Sequence, residues 1–311
     1  MSIDHIKAFA PATVANVNCG FDILGFAIKA PGDEVEIELT KKPGIEIISI
    51  TGDQGKLPLN PKLNSASVSI QNYLDHIGYK DGIKMTLNKK MPISSGMGSS
   101  AASAVAGVFG INQLLNAPLD KNDLLPFALE GEKIACGSAH ADNAAASLLG
   151  GFILVRSYKP LDIVSIDYPT ELIAIVVHPN LKIDTKVARK LIKSEIKLKD
   201  AITQWGNIAG LIAGLSQKNY DLISRSLIDI IAEPKRSKLI TGYDDIKMIA
   251  LEAGAIGCGI SGSGPSIFAL SNDMDKAKHI ALLMKNKFKT LNIESNYFIS
   301  KINSKGAIII N

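Results

Sequence analysis

The sequence predicts an α+β fold in two domains. Its strand patterns come in runs and its helix patterns in clusters, without the one-for-one β-α alternation of a doubly wound sheet. Its 311 residues also exceed one ordinary core, at roughly 100–200 residues per domain.

In chain order, the polar segment Ala10–Asp22 is read at the head of an expected first strand. Val35, Ile37 and Leu39 then alternate with Glu34, Glu36 and Glu38, the period-2 pattern of a strand with one buried and one wet face. Pro43-Gly44 turns the chain into Ile45–Ile48, and Gly82–Leu87 reads as another short strand. From Ser99 to Leu115 the residues are small or apolar, and Ala104, Val108, Ile111 and Leu115 keep the spacing of a helix buried on much of its surface. A further helix is predicted over Asp123–Ile134, with Leu124, Phe127, Ala128 and Ile134 inward. Gly150-Gly151 then introduces the strand Phe152–Val155.

Pro160 and Pro169 mark Leu161–Thr170 as a connection ahead of the apolar run Ile173–Val177. The domain boundary is therefore set near 168, giving domains 1–168 and 169–311. Beyond it come helical patterns over 200–216, 219–231 and 244–253, strands over 256–260 and 266–270, a helix over 275–289 and a last strand over 294–300.

Composition narrows the function. The chain is 46% hydrophobic and 21% charged, as ordinary globular proteins are. Its 34 basic and 30 acidic residues are scattered, without the basic stripe that a nucleic-acid partner requires. The densest basic cluster, Lys190, Lys193, Lys197 and Lys199, is interrupted by Glu195 and reads as a solvated face. Cys19, Cys136 and Cys258 are isolated, with no C-x-x-C pair, which suits a reducing compartment. Met1–Ala12 has no continuous apolar run and no stretch of about 18 apolar residues occurs, so a cytoplasmic protein with no membrane partner is expected.

The most informative segment is Pro92-Ile93-Ser94-Ser95-Gly96-Met97-Gly98-Ser99-Ser100-Ala101-Ala102, between a strand and the alanine-rich helix. Its glycines let the main chain bend close to a ligand, and the N–H groups and dipole of the following helix favour an anion such as a polyphosphate. It is neither G-x-x-x-x-G-K-[ST] nor G-x-G-x-x-G. Alone, the segment also reads as a flexible turn capping a helix.

Three other constellations accompany it. Ala10–Asp22 sets Asn16, Asn18 and Asp22 among small residues. Glu130-Gly131-Glu132 leads through Gly137-Ser138-Ala139 to the polar island His140-Ala141-Asp142-Asn143, where no second histidine stands at zinc-ligand spacing. Gly254–Ser266 is a second glycine-rich turn, and it holds no G-x-S-x-G elbow.

Together these four segments resemble the homoserine kinases of the GHMP kinase superfamily, from Ala10 to Pro265. Pro92–Ala102 is similar to the superfamily's phosphate loop, Ala10–Asp22 to its opening motif and Gly257–Ser266 to its third motif. The H-x-D-N of His140–Asn143 points to the homoserine branch. Asn18 and Cys19 depart from the Gly-Pro of many relatives, and Met97 from their Leu.

The resemblance implies an N-terminal domain like ribosomal protein S5 domain 2 and a ferredoxin-like C-terminal domain. It implies transfer of phosphate from ATP, with Mg²⁺, to the side-chain hydroxyl of homoserine by a homodimer. It puts ATP on residues 92–102 with Asn64, and the metal on Ser100 and Glu132. Asn16, Asp22, His140, Asp142, Arg189, Arg236 and Gly262 are implied to contact homoserine, with Asp142, Asn16 and Arg189 also in the chemistry. Arginine forks a carboxylate through two parallel bonds, and this chain has only four arginines against thirty lysines.

Overall fold

The computed structural model describes residues 4–137 and 140–310. Strands β1 (His5–Ala15), β2 (Leu24–Thr40) and β3 (Ile45–Thr51) are followed by helix α1 (Ser65–Ile77) and strand β4 (Gly82–Asn88). Helices α2 (Ser99–Leu114), α3 (Leu125–Cys136) and α4 (Ala141–Leu149) precede the hairpin β5 (Phe152–Tyr158) and β6 (Leu161–Ile166). Then come β7 (Ile173–Pro179), helices α5 (Thr185–Lys190), α6 (Leu198–Gln217), α7 (Tyr220–Ser226), α8 (Glu233–Arg236) and α9 (Tyr243–Glu252), and strands β8 (Gly257–Ile260) and β9 (Ile267–Ser271). Helix α10 (Met274–Thr290) and strands β10 (Ser295–Lys301) and β11 (Ile308–Ile309) close the chain.

The first sheet runs β11-β1-β2-β4-β3, with β5 and β6 hung on the early part of β2. Its alternation is the one expected: Val35 and Ile37 are buried, Glu38 is exposed, and Lys7 pairs with Glu34 and Glu36 on the wet face. Helix α2 is buried on nearly every side because its alanines and glycines let it pack on β1 and β2 while α1, α3 and α4 cover it. Beneath its first turn lies a buried ion pair between Asp33 of β2 and Lys89 just after β4. Asp33 also accepts bonds from Ser103 Oγ at 2.9 Å, Ser99 Oγ at 3.2 Å and the Lys90 amide at 3.0 Å.

The second sheet is antiparallel in the order β10-β7-β9-β8, the ferredoxin-like split arrangement. One face, with Ile173, Ile175 and Val177, forms a core with Ile246, Ile280 and Phe288 of α9 and α10. The other face, with Ala174, Val176 and Phe268, joins the first sheet's core, where Phe268 meets Phe26 edge-on at 6.1 Å between ring centroids.

Several elements differ from expectation. Leu161–Ile166, read as a connection, pairs with β5 instead. The helix expected over 219–231 stops at Ser226, because the Asp229 carboxylate takes the amides of Ile231, Ala232 and Glu233 at 2.8, 3.0 and 2.8 Å and turns the chain. A boundary near 168 falls between β6 and β7, yet the last residues return to the first sheet. The Ile28–Ile302 bridge and the pairing of β11 with β1 hold them there.

Candidate active site

Four loops meet in a cleft of about 450 Å³. The loop after β4 bends through Ser94, Gly96 and Gly98, with φ of 57°, 77° and 70°, left-handed values that suit glycine. A Cβ on Gly98 would lie 2.1 Å from Thr13 Oγ1 and 2.7 Å from Asn143 Oδ1; one on Gly96 would lie 2.4 Å from the Ser261 carbonyl oxygen. Cross-links hold the loops in contact. Thr13 N donates to Met97 O at 3.1 Å, Ser261 Oγ to Gly96 O at 2.7 Å and Ser266 N to Ser95 O at 3.2 Å. Gly98 caps α2 in a left-handed conformation and makes no side-chain bond there, and the helix N-terminus at the loop suits an anion.

The other half of the cleft carries charge. Asn16 Nδ2 donates to Gly262 O at 2.8 Å while its Oδ1 accepts from the Asp22 amide at 3.0 Å, which fixes the first loop to the third. Asp22 accepts two parallel bonds from Arg189, at 2.8 and 2.5 Å. Arg236 is 4% exposed and donates to the carbonyls of Gly262 at 3.0 Å and Ala188 at 3.4 Å. Among the described residues no carboxylate pairs with it, and burial lowers its pKa. Both guanidiniums lie over the Phe21 ring, at 5.4 Å for Arg189 and 4.8 Å for Arg236.

Asp142 opens α4 and is buried. Burial, the nearby Asp22 charge and the Glu132 charge push its carboxyl up to about 7, against an opposing bond from the Asn143 amide at 2.9 Å. Burial holds His140 below its ordinary value. Glu132 of α3 and Ser100 of α2 line the cleft, Glu132 being 3% exposed. No group of three or more His, Cys, Asp or Glu gathers into a metal cage among the described residues.

Two family descriptions match: "GHMP kinases N terminal domain" over residues 64–151 and "GHMP kinases C terminal" over 210–290. The chain is 48% identical to a homoserine kinase of Chlorobium phaeobacteroides (strain BS1), over 98% of this chain and 99% of that one. The chain belongs to the homoserine kinases of the GHMP kinase family. The homoserine kinase of Chlorobaculum tepidum is 47% identical over 98% of each chain. The crystal structure of homoserine kinase from Cytophaga hutchinsonii superposes with a TM-score of 0.98 at 54% identity, covering 100% of this chain and 98% of that one. A mevalonate kinase of L. major, solved with R-mevalonate, shares the fold alone, with a TM-score of 0.72 at 17% identity over 96% of each chain.

Against this homoserine kinase fold the anticipated residues distribute clearly. Asn16, Asp22, His140, Asp142, Arg189, Arg236 and Gly262 line the cleft, as do Asn64, Ser100 and Glu132. Of the phosphate-loop stretch, Ile93, Ser94, Ser95, Gly96, Gly98 and Ser99 also line it. Pro92, Met97, Ala101 and Ala102 do not, and the last three are wholly buried, so they shape the loop from beneath. Asn64 spends its Oδ1 capping α1, on the amides of Ala66 at 3.0 Å and Ser67 at 3.4 Å. Ser138 and Ala139, within the middle motif, lie outside the described residues.

The departures in the first motif have local explanations. Asn18 takes a φ of 61° and donates to Leu227 O at 2.6 Å and Cys258 O at 3.2 Å, tying the loop to the second domain. Cys19 is fully buried, and its carbonyl accepts from Gln204 Nε2 at 2.7 Å. Sequence reasoning missed Lys89, which lines the cleft, Thr185, whose hydroxyl lies 3.1 Å from that of Ser263, and the ring of Phe21.

Proposed function

We propose that this chain transfers the γ-phosphate of ATP to the side-chain hydroxyl of L-homoserine, giving O-phospho-L-homoserine for threonine biosynthesis. One observation carries the reading: a single cleft joins a glycine-bent loop at the head of α2 to the guanidiniums of Arg189 and Arg236 and the carboxyl groups of Asp22 and Asp142. Phosphoryl transfer asks a protein mainly for positioning and charge neutralisation. The loop and the amides of α2 hold the triphosphate, with Asn64 at the side. Arg236, a buried cation with no carboxylate partner among the described residues, takes the homoserine carboxylate together with Arg189. Asp22 and Asn16 take the ammonium, and His140, neutral at pH 7, hydrogen-bonds the substrate beside Gly262.

Asp142 receives the reacting hydroxyl. A carboxyl at about 7 is ionised in an appreciable fraction at neutral pH and still basic enough to accept a proton. The hydroxyl proton passes to Asp142 as the oxygen attacks phosphorus, and ADP leaves. Ser100 and Glu132 fit a magnesium ion by the chemistry of their donors, one hydroxyl and one carboxylate facing the same cleft. Mg²⁺ bound there would neutralise phosphate charge.

The reading includes a cytoplasmic homodimer. Cys19 and Cys258, both free and buried, accord with a reducing compartment, and the exposed stripe Leu198, Ile202 and Trp205 on α6 supports self-association. Size-exclusion chromatography with light scattering tests the dimer. A coupled ADP-release assay with Mg-ATP across homoserine, serine, threonine and mevalonate tests the activity. Homoserine should lead by a wide margin; preference for mevalonate, or ATP binding without turnover of any of the four, would refute the reading.

A further inference from the structure

Phenylalanine ordinarily serves a core, but Phe21 belongs to neither hydrophobic core of this molecule. Its ring is half-buried, beneath two guanidiniums that line the cleft and arrive from separate helices, Arg189 of α5 and Arg236 of α8. The turn that carries it is firmly set. Gly20 N donates to Asn16 O at 2.8 Å, Leu24 N donates to Gly20 O at 2.9 Å, and Asn16, Val17, Asn18 and Asp22 all take positive φ. The ring therefore projects from a rigid corner.

Two guanidiniums on one ring carry like charge, and the Asp22 carboxylate bonded to Arg189 offsets their repulsion without fixing the side-by-side geometry of both forks. Hydrogen bonds anchor the two arginines separately: Arg189 bonds to Asp22, and Arg236 to the carbonyls of Gly262 and of Ala188, the α5 residue before Arg189. Phe21 touches both. An aromatic face carries negative π density that attracts a cation, and its flat area restricts the rotamers of a long side chain lying on it. An aliphatic residue of similar size would supply the area without the charge attraction.

We infer that Phe21 is a positioning residue for the substrate carboxylate, its ring holding Arg189 and Arg236 side by side so that their forks act as one clamp. This rests on the reading of those two arginines as the carboxylate clamp. Phe21 itself touches no reacting atom. Its removal should weaken homoserine binding while sparing the phosphate loop and the transfer step.

The test compares Phe21→Leu, which keeps apolar bulk, with Phe21→Tyr, which keeps the ring. Thermal melts check that each folds, and calorimetric titration of homoserine without nucleotide accompanies steady-state kinetics. Phe21→Leu should raise the homoserine KM and Kd about tenfold, with the ATP KM and kcat within about twofold, and Phe21→Tyr should restore both to within about twofold. An unchanged homoserine KM in a well-folded Phe21→Leu overturns the inference. Equal shifts in the ATP KM and kcat also overturn it, since general loosening predicts them, as does a tyrosine that restores nothing.

A second readout is independent of activity: the rate at which phenylglyoxal modifies Arg189 and Arg236, followed by peptide mass. It should rise several-fold in Phe21→Leu. Unchanged rates sink the inference even beside an active wild type. Faster modification beside a wild type inert toward homoserine sinks the functional reading and leaves the positioning by Phe21 standing.

Discussion

Asp22 adds its negative charge to the burial of Asp142, and together they keep the Asp142 carboxyl protonated well above the ordinary carboxylate range, at about 7. The two residues come from different motifs, one on the loop before β2 and one at the start of α4. Their proximity makes the site sensitive to pH near neutrality.

With a folded-state pKa near 7 against a reference value of 3.8, the folded chain binds more protons than the unfolded chain between those values. Its stability therefore falls as pH rises toward and through about 7. Asp142→Asn should raise the melting temperature at pH 8 by several degrees and change it little at pH 4. Wild-type kcat/KM should climb with pH through about 7, whereas the variant's should be flat and at least about 100-fold lower. Calorimetry and a pH-rate series check both; wild-type turnover in the variant excludes a base role.

Arg236→Lys keeps the charge and loses the planar fork. The homoserine KM should rise about 10- to 100-fold with the ATP KM nearly unchanged. Steady-state kinetics with each substrate varied in turn decides it, and unchanged homoserine kinetics would count against the clamp.

Gly98→Ala adds a Cβ 2.1 Å from Thr13 Oγ1 and 2.7 Å from Asn143 Oδ1, so those side chains must part and break the hydrogen bond between them, and the φ of +70° holds alanine in a strained left-handed conformation whatever they do. A loss of about 2–4 kcal/mol in stability and an ATP KM at least about tenfold higher are expected. Urea denaturation and ATP titration measure them. A variant as stable and as active as wild type would show the loop to be far more yielding than its contacts imply.

Lys89→Met leaves Asp33, fully buried, without its cation, at a cost of about 3–5 kcal/mol. The double variant Asp33→Leu/Lys89→Met should recover part of that loss, since neither charge is then stranded. Chemical denaturation of the wild type, both single variants and the double variant completes the cycle. A double variant less stable than either single one would contradict this account.

Much of the fold was legible because period and punctuation agree locally. The alternation of Glu34–Leu39 became the core of β2, and the small-residue run after Gly98 became α2. Elements without strong periodicity were harder to read: α1 is about half serine, asparagine and glutamine in its first two turns, and α4 is short, with four alanines among its nine residues. Segment Leu161–Ile166 looked like a connection because prolines flank it, yet its strand character depends on a partner, β5. In the site, residue types pointed to the chemistry, but the contacts were invisible. Nothing local reveals that Arg189 meets Asp22, or that the ring next to Asp22 underlies a second arginine on α8.

The mutual neutralisation of Asp22 and Arg189 sets an admission rule. On the binding roles proposed above, a ligand that enters must divorce the couple. A hydroxy acid offers Arg189 a new mate and leaves Asp22 widowed; an amino alcohol does the reverse. An α-amino acid remarries both at once. 2,4-Dihydroxybutyrate and 3-aminopropan-1-ol should accordingly compete with homoserine far more weakly than any analogue bearing both charges, and parity in a competition assay would show that the pair never opens.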